Sequence, residues 1–331
     1  MKIENLTSFW KIKTEKEFEE LAWETFIFQY KFNKIYNSFC TLIDINPNKI
    51  SEINKIPFLP ISVFKSKKII SYKGKSYGKI FKSSMTTGEN PSIHYVKDIN
   101  DYKKSYRNCF SLFYGPPKDY VILALLPSYI NRTDSSLIYM TENLIRLTKR
   151  NESGFYLDEL ENLSKALIKL EKKGQKTILL GVSFALLNFT EKYDFELKNT
   201  IIMETGGMKG KREELTRKEL HEKLIKSFNV EKIHSEYGMT ELLSQAYSNG
   251  NGLFKTPPWM KIYIRENQDP FRKVEPTQTG GINIIDLANR NSCSFIETED
   301  MGRKNLDDSF EVIGRIDNSE IRGCNLMVSQ D

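Results

Sequence analysis

Four short segments of the sequence combine residue types that could do chemistry. FKSSMTTGENPS, at 81–92, places hydroxyl side chains ahead of a glycine, and METGGMKGK, at 203–211, places two glycines after an apolar run. HSEYGMTELLSQ follows at 234–245, and TEDMGR with GRID lies at 298–317. Each segment alone is also typical of an ordinary turn, helix cap or solvated loop, so it is their order along one chain that carries weight.

The first two segments have features of a site for phosphates and a flat ligand. Hydroxyl and backbone donors in a glycine-containing loop can wrap phosphate oxygens, and the candidate residues are Ser83, Ser84, Thr86, Thr87 and Gly88. Gly206 and Gly207 have no side chains, so a flat ligand could approach the backbone closely there. A tight turn would use the same glycines.

The last two segments add an aromatic ring, carboxylates and a cation. The run from Tyr237 through Gly238, Met239 and Thr240 to Glu241 would put a ring, a hydroxyl and a carboxylate around one point, at a predicted helix start. Glu241 could hold Mg²⁺ while Thr240 donates to a phosphate, although a helix cap with an acidic first turn has the same residues. Asp300 at a strand end could accept from both ribose hydroxyls. Arg315, 15 residues later, could return across a hairpin to a phosphate.

The surrounding pattern predicts the elements that position these segments. Short apolar runs at 121–126, 177–182 and 200–203 alternate with helical patterns, which predicts an α/β fold with a mostly parallel sheet flanked by helices. Ligands of such sheets bind beyond the carboxyl ends of the strands. Past Gly250 short strands with turns predict a β-rich subdomain at about 251–312. A capping box at Thr14 and Glu17 predicts one long helix through about Phe39.

Composition narrows the class of protein. A chain of 331 residues with 39% apolar residues can bury a large core. The net charge of +6 comes from basic residues interleaved with acidic ones, which does not favour a nucleic-acid partner. No apolar stretch reaches the roughly 18 residues of a membrane span, and the first residues do not resemble a signal peptide. Four scattered cysteines suit a reducing compartment. We therefore expect a cytoplasmic protein.

The order of the four segments resembles the core motifs of the adenylate-forming superfamily of acyl-CoA synthetases, adenylation domains and luciferases. IPFLPISVFK, FKSSMTTG, LLPSYINRTDSSLIYM, TGGMKGKR, SEYGMTELLSQAYS and IRGCNLMV resemble the acyl-protein synthetase (LuxE) family more closely. That family supplies activated fatty acid to the reductase of bacterial bioluminescence. The resemblance implies an adenylate-forming large domain at 1–312, followed by a hinge and a short tail at 313–331. The superfamily's mobile C-terminal domain is expected to be truncated or absent.

The resemblance also implies roles for individual residues. ATP and Mg²⁺ are the expected cofactors, and a carboxylic acid, in that family a fatty acid, would become an acyl-adenylate. Residues 83–88 would form the phosphate loop, Gly206 and Gly207 would flank the adenine, and Tyr237 with Gly238 and Met239 would lie on its face. Thr240 and Glu241 would serve phosphate and Mg²⁺, Asp300 the ribose and Arg315 a phosphate. Asp317 would be the hinge, and candidate walls of the acid pocket are His94, Ser136, Ser183 and Phe184.

A thiol is the implied acyl acceptor. The family's thioester forms on a cysteine near the carboxyl terminus, and Cys324 matches it, with Arg322 close enough to lower the pKa of its thiol. The acyl group would then pass to a partner such as an acyl reductase. One alternative is a ligase that uses coenzyme A or an acyl carrier protein directly. A third, of another class, is a non-catalytic scaffold for a reductase complex.

Two departures from the family pattern bear on these alternatives. Met85 stands where the phosphate loop of the family has glycine, and methionine does not readily adopt positive φ. The lysine that the superfamily's C-terminal domain contributes to adenylation also has no counterpart, so another cation would have to replace it. The chain length of the acid is not encoded in any motif.

Overall fold

The structure is a computed structural model that describes residues 9–72, 76–84, 90–127, 132–206, 215–267, 269–272 and 274–316. The helices in these ranges are α1 (Glu15–Phe32), α2 (Lys34–Leu42), α3 (Ile99–Tyr114), α4 (Ser136–Thr148), α5 (Leu160–Lys172), α6 (Ser183–Thr190) and α7 (Arg217–Phe228). The strands are β1 (Leu59–Pro60), β2 (Lys79–Lys82), β3 (Ile93–Val96), β4 (Val121–Leu125), β5 (Gly154–Phe155), β6 (Thr177–Val182), β7 (Thr200–Thr205), β8 (His234–Tyr237), β9 (Ala246–Ser248), β10 (Phe254–Lys255), β11 (Met260–Arg265), β12 (Thr279–Asp286), β13 (Phe295–Lys304) and β14 (Phe310–Arg315).

Most of these strands belong to one sheet. Its order is β11-β12-β13-β14-β10-β9-β8-β7-β6-β4-β5, with β1 beside β13, while β2 and β3 form a separate hairpin. The neighbours from β5 to β8 are parallel, and those from β8 through to β11 are antiparallel. The predicted α/β fold with a mostly parallel sheet is confirmed for the half of the sheet that runs from β5 to β8. The strands past Gly250 extend the same sheet. The proposed domain boundaries stay a prediction.

Helices cover both faces of the parallel half. Every residue of β4 is buried, as expected for a strand between two helical layers. On one face the stripe of Leu163, Leu167 and Leu170 from α5 packs with α6 and α7, and α3 and α4 pack against the other face. Burying one leucine side chain contributes about 1.5–3 kcal/mol. The sheet is therefore a rigid base for the segments at its carboxyl ends.

The predicted first helix is two helices. The capping box at its start is present, because the Thr14 hydroxyl accepts from the Glu17 N–H at 3.2 Å and the Glu17 carboxylate accepts from the Thr14 N–H at 3.0 Å. The prediction of one helix through Phe39 is wrong, since Asn33 is extended and ends α1. Its side chain caps α2 and donates to the Ser292 carbonyl at 2.9 Å. That partner lies far along the chain, so the helical pattern could not reveal the break.

The backbone after β8 turns instead of starting a helix. The Asp286 carboxylate accepts the backbone N–H groups of Leu243 and Ser244 at 2.9 and 3.0 Å, so these groups are not available for helical bonds. The Asn289 amide donates to the Glu241 carbonyl at 2.6 Å. The prediction of a helix at Thr240 and Glu241 is therefore wrong. The chain enters β9 within a few residues.

No helix in the described ranges is both long enough and apolar enough to cross a membrane.

The strands β7 and β8 lie side by side, with Thr205 opposite Glu236. Their carboxyl ends therefore bring Gly206 and Tyr237 to the same edge of the sheet, where the candidate site lies.

Candidate active site

Tyr237 and Asp300 are joined at the centre of the candidate site. The Tyr237 hydroxyl donates to Asp300 Oδ2 at 2.7 Å, and its ring packs edge-on against Phe254 and Phe310, each with a centroid distance of 5.8 Å. Burial raises the pKa of Asp300, whereas the bond from Tyr237 and the charge of Arg315 lower it. The carboxyl side chain is 18% exposed, so it keeps acceptor sites for a ligand's hydroxyl groups.

Arg315 reaches the same carboxylate across a hairpin. Asp300 and Arg315 are register partners of β13 and β14, which confirms the hairpin expected from their spacing. Arg315 Nε lies 3.8 Å from Asp300 Oδ1, and its Nη2 donates to Glu299 Oε2 at 3.4 Å. The arginine side chain is 74% exposed. It is therefore a cation at the rim of the site that can turn toward a phosphate.

Glu241 is a buried carboxylate beside this group. Burial is the largest effect on the pKa of Glu241 and raises it, and the charge of Asp300 adds to this. Hydrogen bonds from the Ser92 side chain and from the backbone N–H of Glu241 itself, together with the charge of Arg315, lower the pKa, but the net shift is upward. The residue is 4% exposed. A buried carboxylate with a second carboxylate nearby is a favourable site for a cation. Groups of three or more metal-ligating side chains are absent from the ranges that the structure describes.

The backbone carbonyl of Thr240 is bound by the side chain of His94, which belongs to β3. Because a carbonyl only accepts, His94 Nδ1 donates to the Thr240 carbonyl at 2.8 Å. Burial lowers the pKa of His94 to about 4, against the opposing effect of this bond, so the ring is neutral at pH 7. The structure thus places His94, a predicted wall of the acid pocket, behind the turn that carries Thr240 and Glu241.

The hydroxyl-rich segment connects β2 to β3. At its base Ser83 N–H donates to the Ser92 carbonyl at 3.1 Å, and Ser92 N–H donates to Ser83 Oγ at 2.9 Å. Ser84 is exposed at the start of the connection. Because Ser92 also contacts Glu241, the base of this hairpin lies against the candidate metal ligand. The predicted residues Thr86, Thr87, Gly88, Gly207, Asp317 and Cys324 lie outside the described residues.

Gly206 ends β7 in a left-handed conformation with φ of +67°, and a Cβ there would meet no atom within 4 Å. The glycine is therefore required by backbone conformation. Ser183 Oγ donates to the Gly206 carbonyl at 2.9 Å, and half-buried Phe184 follows it in α6. Ser136 lies at the buried start of α4, where its carbonyl accepts from the Tyr102 hydroxyl at 3.0 Å. Ser183 thus contacts Gly206, whereas Ser136 contacts Tyr102.

Sequence reasoning missed a buried network under the Gly206 turn. Arg217 Nη1 donates to Glu204 Oε1 at 3.2 Å, and His221 Nε2 lies 3.5 Å from the same oxygen. Burial raises the pKa of Glu204, but the bond to His221 and the charge of Arg217 together lower it by more. The pKa of Glu204 is therefore below its usual value. The Arg217 guanidinium also lies 4.8 Å above the Phe254 ring. Arg217 is the first residue of α7, where the helix dipole disfavours a positive charge. Its place in the sequence was therefore a usable signal that an acidic partner stabilises it.

Glu236 is a second buried carboxylate that sequence reasoning missed. It accepts a hydrogen bond at Oε2 from the Thr205 hydroxyl. Burial raises its pKa to about 7, with the charge of Glu204 adding to this and the bond from Thr205 opposing it. No sequence motif marks this glutamate, and only the structure shows that its strand, His234–Tyr237, is fully buried.

The similarity to known proteins extends over nearly the whole chain. The family model described as "Acyl-protein synthetase, LuxE" matches residues 9–331. A long-chain-fatty-acid–luciferin-component ligase of Aliivibrio fischeri is 23% identical over 351 residues, which cover 97% of this chain and 90% of that protein. The protein of the same name from Vibrio harveyi is 22% identical over 352 residues, with the same coverage.

Solved structures share the fold at low identity. A 2-hydroxyisobutyryl-CoA ligase in the postadenylation state with 2-HIB-AMP has a TM-score of 0.65 and 10% identity, covering 93% of this chain and 70% of that chain. ATP-bound MatB from Rhodopseudomonas palustris has a TM-score of 0.54 and 15% identity over 74% of this chain. Our chain spans about half, 49%, of that MatB chain. The family match over nearly the whole sequence confirms the resemblance drawn from the motifs. The chain is therefore a ligase that belongs to the acyl-protein synthetase (LuxE) family.

Proposed function

We propose that this protein uses ATP and Mg²⁺ to convert a carboxylic acid, in the first place a fatty acid, into an acyl-adenylate, and then transfers the acyl group to a thiol. The observation that carries the proposal is the meeting of Tyr237, Asp300, Arg315 and Glu241 at the carboxyl edge of the parallel strands. The names of the two bacterial relatives support a fatty acid as the substrate.

Each part of the site suits one part of ATP. Gly206, with Gly207 after it, would flank the adenine, and Tyr237 with Gly238 and Met239 would lie on its face. Tyr237 donates to Oδ2 of Asp300. The remaining acceptor sites of this carboxylate would bind the ribose hydroxyls. The hairpin connection from Ser83 and Ser84 through Thr86 and Thr87 to Gly88 would surround the phosphates, with Thr240 and the exposed guanidinium of Arg315 beside it.

Glu241 would be the protein ligand of Mg²⁺. Magnesium ions in nucleotide sites are held by one or two carboxylates together with phosphates and water, so the absence of a three-ligand cluster from the described residues fits this ion. When bound, Mg²⁺ supplies positive charge next to the phosphates. The nearby cations Arg315 and Arg217 add to this, and they are candidates for the contribution that a C-terminal lysine makes in the superfamily.

The first reaction needs alignment more than proton transfer. An acid oxygen, ionised at pH 7, attacks the α-phosphorus of ATP, the bond from phosphorus to the bridging oxygen breaks, and pyrophosphate leaves. The enzyme holds the carboxylate in line and stabilises the charge that develops on the phosphate oxygens. In the second reaction a thiolate attacks the acyl carbon and AMP leaves.

Cys324 is our proposed first acceptor, and an acyl reductase or an acyl carrier protein the proposed next one. Among the cysteines in the described ranges, Cys40, Cys109 and Cys293 are fully buried. Burial raises the pKa of both Cys40 and Cys109 to about 12, and it raises that of Cys293 further. These three thiols stay protonated at pH 7, so they do not suit nucleophilic attack.

The adenylation step is tested by ATP–pyrophosphate exchange with Mg²⁺ and a series of acids from acetate to myristate. We expect exchange that depends on one class of acid and falls about 100-fold or more in Glu241→Gln. Glu161→Gln, an exposed carboxylate on α5, is the matched control and should leave the rate unchanged. Folded protein that gives no exchange with any acid would support the scaffold alternative instead.

The thiol step is tested with radiolabelled acid. Cys324→Ser should abolish the label on the protein while exchange continues, and Cys40→Ala should keep the label. Continued exchange and rapid acyl transfer to coenzyme A, with no protein label in the unmodified enzyme, would favour the direct ligase.

A further inference from the structure

A buried polar cluster lies beneath Gly238, on the opposite side of β8 from Tyr237. Glu236 and Gln245 are 7% and 3% exposed. A Cβ on Gly238 would lie 2.6 Å from Glu236 Oε1 and 3.4 Å from Gln245 Cγ. Gly238 itself is exposed. The missing side chain at Gly238 therefore leaves a carboxylate oxygen close to the surface of the candidate site.

This cluster offers acceptors that need donors. The Thr205 hydroxyl donates to Glu236 Oε2, and none of the described residues donates to Oε1. Gln245 Oε1 is buried without a hydrogen-bond partner in the part of the chain that the structure describes. The charge of Glu236 raises the pKa values of Tyr102, Tyr114 and Tyr247, and within the described residues no cation lowers the pKa of Glu236 against its burial. A buried acceptor without a donor is unfavourable.

We propose that Glu236 and Gln245 select an acid that carries a hydrogen-bond donor, a hydroxyl or an amino group, on carbon 2 or carbon 3. The inference rests on the proposed function, which places the reacting carboxylate between the nucleoside at Tyr237 and the metal at Glu241. Gly238 lies between these two residues. On this placement carbons 2 and 3 of the acid would pass over exposed Gly238, where a donor would reach Glu236 Oε1.

The preference follows from what an unsubstituted acid would do there. A methylene group above Gly238 would exclude water from Glu236 Oε1 and leave it without a partner beside the unpaired Gln245 Oε1, which is costly in a buried site. A hydroxyl group would satisfy one of them, and an amino group would also bring the missing positive charge. The site is thus built for a substituted acid and not for a plain alkyl chain at these two carbons.

The test is ATP–pyrophosphate exchange with pairs of acids that differ only in the donor. The pairs are butyrate with 2-hydroxybutyrate, 3-hydroxybutyrate or 3-aminobutyrate, and myristate with 3-hydroxymyristate, so that chain length is varied separately. We expect kcat/KM to be about tenfold or more higher for a donor-bearing member. Equal values within every pair would overturn the inference while leaving the proposed function intact. No exchange with any acid would overturn both.

Variants of the cluster show whether these side chains cause the preference. Glu236→Leu and Gln245→Leu should each reduce the ratio of kcat/KM between the members of a pair, and Glu236→Gln, of the same shape, should reduce it less. This ratio does not depend on how much of a variant is folded. Glu171→Gln, a half-buried carboxylate at the amino end of β7, is the control and should keep the ratio. A ratio that is unchanged in all three cluster variants would refute the assignment.

Discussion

Gly238 gives a direct test of how tightly the site is packed around Glu236. Its φ lies outside the left-handed range, so alanine is compatible with the backbone there. The added Cβ would nevertheless lie 2.6 Å from Glu236 Oε1. Carbon–oxygen contacts are about 3.3 Å or longer, so the methyl group would overlap the carboxylate by roughly 0.7 Å. Gly238→Ala therefore requires Glu236 or the turn to move.

The cost depends on whether Glu236 can move away. The side chain is buried and its Oε2 is held by Thr205, so it cannot turn away from Gly238 without losing that hydrogen bond. Overpacking of this kind lowers the free energy of unfolding by about 1–3 kcal/mol. In a Glu236→Ala background the space is free, and the same glycine-to-alanine change should be neutral or stabilise by up to about 1 kcal/mol, because it restricts the unfolded chain.

A double-mutant cycle separates these contributions. The free energies of unfolding of the unmodified protein, Gly238→Ala, Glu236→Ala and the double variant are measured by urea titration at one pH. We expect a coupling free energy of about 1 kcal/mol or more between the two positions. If Gly238→Ala costs the same in both backgrounds, the argument that Glu236 fills the space beside Gly238 is refuted.

Three further predictions concern Tyr237, Asn33 and Glu236. Tyr237→Phe removes the 2.7 Å bond to Asp300 and should raise the KM for ATP about tenfold, since bonds to charged groups contribute about 1.5–3 kcal/mol; Tyr193→Phe is the control, and an unchanged KM would contradict a role at the nucleotide. Asn33→Ala removes the cap of α2 and the bond to Ser292 and should lower the free energy of unfolding by about 2–4 kcal/mol, whereas exposed Asn162→Ala should change it little. The raised pKa of Glu236, about 7, means that the folded state binds the proton more tightly than the unfolded state. Relative to Glu236→Gln, the unmodified protein should therefore lose on the order of 3 kcal/mol of stability as pH rises from about 4.5 to about 7. A difference between the two that is flat with pH would show that Glu236 titrates normally.

The strands and most helices could be predicted from the sequence because their signals are local. The run TILLGV coincides with β6, and the leucine stripe of α5 is buried as its spacing indicates. The errors have a common cause, which is a distant polar side chain that takes backbone groups away from a local helix. Asn33 is held by Ser292, and the N–H groups of Leu243 and Ser244 are held by Asp286. Such partners are far along the chain, so periodicity does not reveal them.

The candidate site was predictable to the extent that its residues belong to motifs. The spacing of Asp300 and Arg315 indicated a hairpin, and the register of β13 and β14 confirms it. The buried carboxylates Glu204 and Glu236 were missed, because a glutamate in a strand has no motif of its own. Their positions become informative only when the neighbouring strand and helix show that each one is buried. The roles of the motif residues, Cys324 among them, stay predictions until the proposed assays are made.

The alternation of side chains along β8 has a further consequence for the two substrates. Successive residues of a strand point to opposite faces, so Tyr237 contacts Asp300, Phe254 and Phe310, whereas Glu236 accepts from Thr205 on the other face. On the proposed function, this one short, buried strand would bind the nucleoside on one side and the acid on the other. Because the two sets of contacts are separate, substitutions at Glu236 should change the preference among acids while leaving the KM for ATP nearly constant. Substitutions at Tyr237 should do the reverse.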